Sequence, residues 1–112
     1  MPASVPFTFN VQTVRLDDLR LPTPDLIKID VEGAEMNVLR GARACIQKYT
    51  PVVHVEVHQA LLHLFNTSAR QIRDFLTELG YSIEVRRKGT YICRVVSKRP
   101  TSQNVYHPVC LG

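Results

Sequence analysis

Two spacing rules for apolar residues take turns along this chain. From residue 5 to 16 apolar positions recur loosely, through Val11, Val14 and Leu16, which reads as an extended segment leading into the turn-rich run LDDLRLPTPD. Asp17 and Asp18 suit the start of a short helical turn, because a carboxylate accepts the free N–H groups found there. Pro22 and Pro24 then stop any helix. DLIKID (25–30) reads as a short strand, followed by Gly33. Beyond it, Met36, Leu39, Ala42, Cys45 and Ile46 recur at helical spacing and predict one helix from about Ala34 to Lys48. Pro51 restarts the chain, and VVHVEVH (52–58) predicts a second strand. Ile72, Phe75, Leu76 and Leu79 stand at i, i+3, i+4 and i+7, the mark of a helix face; Thr67 or Ser68 can cap that helix, and Gly80 stops it. YSIEVRR (81–87) and TYICRVVS (90–97) are rich in β-branched and aromatic residues, and the short Lys88-Gly89 link predicts an antiparallel hairpin. Residues 98–112, with Pro100 and Pro108, read as a flexible tail.

The predicted order is strand, helix, strand, helix, strand, strand. Strands separated by helices imply a parallel sheet with right-handed crossovers, so the class is α/β with a closing antiparallel pair. Length and composition add bounds to this. The chain has 112 residues, 45% of them hydrophobic, which suits one domain or part of one. No apolar run approaches the roughly 18 to 20 residues of a membrane span, and MPASVPFTFN lacks the form of a secretory signal.

The net charge is +4, with the excess in Arg86, Arg87, Lys88, Arg94, Lys98 and Arg99. Aromatic residues do not interleave with these, so no nucleic-acid platform is expected. The three cysteines, Cys45, Cys93 and Cys110, are far apart and form no CxxC pair. They suit buried thiols in a reducing compartment, and a cytoplasmic location is the expectation.

Ligands of an open parallel sheet bind outside the carboxyl ends of its strands. That rule selects the loops after IKID and after HVEVH. In the first strand Ile27 and Ile29 face one way, Lys28 and Asp30 the other. Asp30 ends the strand, where a carboxylate can meet a ligand. Glu32 and Lys28, close to it, are candidates for binding the substrate, whereas Glu35 suits a helix start that favours acids. In the second strand Val53, Val55 and Val57 share one face, and His54, Glu56 and His58 the other. Ionisable residues on one face of an internal strand are costly unless paired or turned to a ligand. With the two strands adjacent and parallel, their ends lie roughly 5 Å apart, and Asp30, Glu56 and His58 converge as the candidate catalytic group. Such a trio can deprotonate a hydroxyl, one carboxylate orienting the imidazole. It can equally bind a divalent metal through two oxygens and a nitrogen, as a metal-dependent hydrolase would. No HxxxH or DxD spacing supports a metal, and none is assigned. Asn66-Thr67-Ser68 matches a glycosylation sequon but coincides with the expected helix cap.

VRLDDL (14–19), DLIKIDVEGAEMNVLRGA (25–42) and PVVHVEVH (51–58) together resemble the C-terminal half of the FkbM family of S-adenosylmethionine-dependent methyltransferases. The resemblance covers residues from about 11 to 97, and KIDVEGAE followed by LRGA is its most specific part. It implies the C-terminal half of a Rossmann-like methyltransferase sheet, with parallel strands, flanking helices and a closing antiparallel hairpin. It also implies S-adenosylmethionine as cofactor and a small-molecule or sugar hydroxyl as methyl acceptor, with Asp30, Glu56 and His58 lining the transfer cleft. Such enzymes hold the cofactor on a glycine-rich loop after their first strand. None of the five glycines here forms a GxG, and no suitable strand precedes Val11. Residues 1–97 are therefore expected to be a partial domain, without its first three strands and inactive alone, with its cofactor-binding residues unassigned. The alternative is a non-catalytic remnant that pairs with another chain. In either case the open edge of the first remaining strand predicts self-association.

Overall fold

The structure, a computed structural model, describes residues 8–96 and 108–111. Residues 98–107 and 112 of the expected tail, the last residue of the run 90–97, and the first three of the expected extended segment lie outside the described residues. The chain from Thr8 runs without helix or strand to a single 3-10 turn, Leu16–Asp18. Strand β1 (Leu26–Ile29) follows, then helices α1 (Glu35–Gly41) and α2 (Arg43–Tyr49), and strand β2 (Val52–Glu56). Next come the short α3 (Gln59–Leu62), a 3-10 turn at His63–Phe65, α4 (Ala69–Glu78) and the pair β3 (Tyr81–Arg86) and β4 (Thr90–Val95), closed by a 3-10 turn at Arg87–Gly89. The last strand, β5, is Pro108–Leu111.

The five strands form one mixed sheet in the order β3-β4-β2-β1-β5. β1 and β2 are parallel neighbours, with Lys28 beside His54 and Ile29 beside Val55. β4 runs antiparallel to β2, and β3 antiparallel to β4. Ile27, Ile29, Val53 and Val55 are fully buried under Leu39 and Ile46 of the first helix pair and Ile72 and Leu76 of α4. Each such side chain contributes about 1.5–3 kcal/mol by leaving water. The opposite face of the sheet carries Lys28, His54, Glu56, Ile92 and Arg94, all exposed or half-buried. α4 starts as its sequence suggests: Ser68 Oγ accepts the Gln71 N–H, and the Gln71 side chain accepts the Ser68 N–H. Core burial pushes the Cys93 thiol up to about 12 and raises the Tyr81 phenol, whose hydroxyl donates to the Pro51 carbonyl at 2.6 Å.

Besides the short α3 and the 3-10 turn after it, which the spacing does not predict, two features differ from the sequence expectation. The single helix expected over 34–48 is broken at Ala42, whose φ and ψ are −110° and 7°. Arg15 of the N-terminal segment lies against Gly41, close enough that a Cβ there would meet Arg15 Cβ at 3.2 Å. The break gives α2 its own N-terminus, and Asp17 caps it from 27 residues away in sequence: its oxygens accept the Ala44 N–H at 2.8 Å and the Cys45 N–H at 2.9 Å. Asp18 instead pairs with Arg15 at 2.9 Å on the surface. Asp17→Ala is expected to cost about 1–2 kcal/mol, the loss of a helix cap, and Asp18→Ala less than half of that. Urea unfolding of the two variants checks the difference.

The second difference lies at the edge of the sheet. β5 pairs in parallel with β1, Leu26 beside Pro108 and Ile29 beside Leu111, so the edge expected to be open is covered by the end of the chain. The ladder runs one step past the strand, where the Asp30 N–H donates to the Leu111 carbonyl at 2.9 Å. Distance along the chain hides such a pairing, because short-range spacing says nothing about which far segment will satisfy an edge. Deleting residues 108–112 is expected to cost roughly 2–4 kcal/mol in hydrogen bonds and apolar cover. It is also expected to raise the fraction of larger species relative to the full chain, read by light scattering. A deletion variant with unchanged size and stability would contradict this role.

Candidate functional site

The parallel pairing of β1 and β2 brings their carboxyl ends to the same side of the sheet. Asp30 directly follows β1, Glu56 ends β2, and His58 precedes α3. Between Asp30 and α1 the chain turns sharply through Glu32 (φ 52°) and Gly33 (φ 110°). The tight turn admits Gly33 because it has no Cβ: one built there would lie 2.9 Å from both Leu61 Cβ and the Leu61 carbonyl oxygen.

Glu35, the first residue of α1, points inward and is 0% exposed. Its Oε1 accepts the Gly33 N–H, and its Oε2 accepts the His58 N–H at 3.1 Å. One carboxylate thus ties the loop after β1 to the loop after β2. A helix-start acid is expected to satisfy backbone N–H groups; here the groups it satisfies belong to two loops 25 residues apart along the chain. The crowding of acids in VEGAE was the only hint in the sequence.

The imidazole of His58 stands between two carboxylates. Nε2 is 3.5 Å from Asp30 Oδ1, and Nδ1 is 3.5 Å from Glu35 Oε1. The Nδ1 contact is too long for a formed hydrogen bond, and Nδ1 is buried without a hydrogen-bond partner among the described residues, with Glu35 the carboxylate nearest it. With Glu35 anchored by its two N–H donors, the tautomer it favours carries hydrogen on Nδ1 and a lone pair on Nε2. Asp30, Glu56 and His58 each offer a donor atom, all within 4.8 Å of one another. The Asp30 side chain is 43% exposed and that of His58 30%, so the cluster opens to solvent.

The other sequence candidates sit nearby without joining the cluster. Glu32 is exposed on the turn. Lys28 is exposed on the polar face of β1 and lines, with Asp30, Cys110 and Leu111, a hollow of about 170 Å³. His54 is a step further back on β2, and its Nε2 is buried without a hydrogen-bond partner among the described residues. Two larger hollows, of about 410 and 600 Å³, border the N-terminal segment, and neither includes Asp30, Glu56 or His58.

A family model described as the methyltransferase FkbM domain matches residues 3–83. The chain belongs to that family. A hexuronic acid methyltransferase, AglP, of Haloferax volcanii is 27% identical to it over 84 residues, which are 71% of this chain and 32% of that protein. This FkbM chain therefore spans about a third of the length of that relative. The crystal structure of an FkbM methyltransferase from Methylobacillus flagellatus is similar at a TM-score of 0.52 and 23% identity, over 71% of this chain and 22% of the other. That likeness concerns the fold, a mixed α/β sheet with flanking helices of the kind found in one half of a Rossmann-like methyltransferase. No helix among the described residues is long and apolar enough to cross a membrane.

Proposed function

We propose that this FkbM chain forms the acceptor side of an S-adenosylmethionine-dependent O-methyltransferase site, and that Asp30, Glu56 and His58 bind the acceptor hydroxyl and take up its proton. The observation that carries the reading is their convergence at the carboxyl ends of two adjacent parallel strands, where ligands of such sheets bind. S-adenosylmethionine supplies an electrophilic methyl group. In this reading the hydroxyl rests beside Asp30 and His58, within reach of both, and the proton is received at Nε2. Glu35 holds the His58 backbone and stands behind the ring, and Lys28 and Glu32 border the acceptor. An anionic sugar is a suitable first acceptor, since Lys28 offers a cation beside Asp30, and the relative named above acts on a hexuronic acid.

The described residues do not fit the cofactor itself. The hollow beside Asp30 is about 170 Å³, below the roughly 300 Å³ at which pockets for ligands of that size begin; the two larger hollows include none of Asp30, Glu56 and His58, and no GxG loop stands in the sequence. These 112 residues are accordingly expected to bind S-adenosylmethionine weakly or not at all and to transfer no methyl group alone. Calorimetric titration with S-adenosylmethionine checks this: tight binding sinks the claim that the cofactor side lies elsewhere. For the acceptor side, amide NMR shifts on titration with glucuronic acid are expected around residues 30–35 and 56–60. Shifts confined to other parts of the chain, or none at high acceptor concentration, would overturn the assignment.

A further inference from the structure

We propose that Asp30, Glu56 and His58 form a site for a divalent first-row transition ion, Mn²⁺ or Zn²⁺, held by two carboxylate oxygens and the imidazole Nε2 and open to water on its outer side. This deepens the acceptor-side reading: the ion would be what grips the acceptor oxygen.

Three observations carry it. The first is distance. Two donors on opposite sides of an ion, each about 2.1 Å from it, are at most about 4.2 Å apart. The three donor atoms already lie within 4.8 Å of one another, and Asp30 Oδ1 and His58 Nε2 are separated by 3.5 Å. Closing the remainder takes about 0.6 Å of side-chain movement for an opposite pair and about 1–2 Å for an adjacent one, within the reach of rotamer adjustment at partly exposed side chains.

The second is charge. Asp30, Glu35 and Glu56 bring three carboxyl groups to one place, and among the described residues no lysine or arginine forms an ion pair with any of them. Among the described residues Asp30 and Glu35 each stand 3.5 Å from a His58 ring nitrogen, and Glu56 forms no ion pair. Carboxylates gathered without a cationic partner are what a bound cation relieves.

The third is the second layer of contacts. A metal-binding histidine ordinarily donates its other ring N–H to a carboxylate that fixes its tautomer and orientation. Glu35 stands in that position behind Nδ1, fully buried and itself anchored by two backbone N–H groups. The donor set then selects the ion. An imidazole nitrogen favours Zn²⁺ and its neighbours, and the two carboxylates admit Mn²⁺, whereas Mg²⁺ and Ca²⁺ prefer oxygen throughout. Partial exposure of Asp30 and His58 leaves room for waters, or for an acceptor oxygen, to complete the coordination. An oxygen bound to such an ion is acidified directly. With the ion in place, Nε2 is a ligand, and the ion takes over the imidazole's task.

The test needs neither methyl donor nor acceptor, so the metal site and the methyl-transfer reading can fail separately. The whole chain is titrated with Mn²⁺, followed by electron paramagnetic resonance of free Mn²⁺, and with Zn²⁺ by calorimetry. Saturable binding of one ion per chain is expected, tighter for Zn²⁺ than for Mn²⁺ and weakest for Mg²⁺. Asp30→Asn, Glu56→Gln and His58→Gln are each expected to weaken Mn²⁺ binding by about tenfold or more, with circular dichroism unchanged. Glu35→Gln is expected to weaken it about 10–100-fold, as the loss of an outer-layer partner does. Manganese avoids thiols, so Cys45, Cys93 and Cys110 do not confuse that readout. Failure to bind either ion at millimolar concentration overturns the site. So does Mn²⁺ binding that survives both Asp30→Asn and His58→Gln.

Discussion

Glu35→Ala is expected to destabilise the fold by about 2–5 kcal/mol, because it strands two inward N–H donors at about 1–3 kcal/mol each. The donors are those of Gly33 and His58, and Glu35 is 0% exposed, so water does not readily replace the carboxylate. The damage should be local as well as global. Both loops lose their common anchor, and amide exchange at Gly33 and His58 should accelerate more than exchange at Leu76 in the core. Glu35→Gln retains one acceptor oxygen and should cost about half as much. Denaturant unfolding with site-resolved hydrogen exchange reads both effects. A Glu35→Ala protein within about 1 kcal/mol of the parent, the level of an ordinary substitution, would show that the loops are held by something else.

Gly33→Ala should be comparably severe for a different reason. Gly33 has a φ of 110°, and an added Cβ would come within 2.9 Å of Leu61 and 3.1 Å of Phe65 Cε2. The backbone strain is worth about 1–3 kcal/mol and the overpacking about 1–3 kcal/mol, for a total of about 2–5 kcal/mol. Gly80→Ala is the matched control. Gly80 also has a positive φ, 87°, but nothing lies within 4 Å of its missing Cβ. It should show the strain without the clash and cost clearly less. Because α3 begins directly after His58, relief of the clash at Leu61 should shift the imidazole away from Asp30. The NMR coupling between Gly33→Ala and the His58 ring resonances, together with the unfolding midpoints, checks this. Equal costs at the two glycines would mean that α3 yields freely and exerts no constraint on His58.

Much of this architecture is legible in the sequence. The run Ile72, Phe75, Leu76 and Leu79 placed α4, and its Ser68 and Gln71 box is a local motif with a local cause. The alternation of Val53, Val55 and Val57 against His54, Glu56 and His58 placed the polar face of β2. The family signature followed from KIDVEGAE and LRGA. Less legible were the features that depend on distant segments. The apolar spacing from Met36 to Ile46 is continuous, and nothing in it marks the break at Ala42, where Arg15 lies against Gly41 and Asp17 caps the helix that follows. Glu35 has the position of an ordinary helix-start acid, and its burial becomes visible only when α3 closes over the turn.

The sequence by itself determined which residues share a face, where β1, β2, α4 and the closing hairpin lie, and that Asp30, Glu56 and His58 stand at the ends of two strands. Periodicity and capping are short-range effects, and a linear chain records them directly. Only the tertiary structure decided that β5 covers the edge of β1, that Asp17 caps α2, and that Glu35 ties both loops behind His58. Each of these satisfies a backbone group with a partner far along the chain. Which far partner wins is set by the packing of the whole sheet, and no local spacing carries that information.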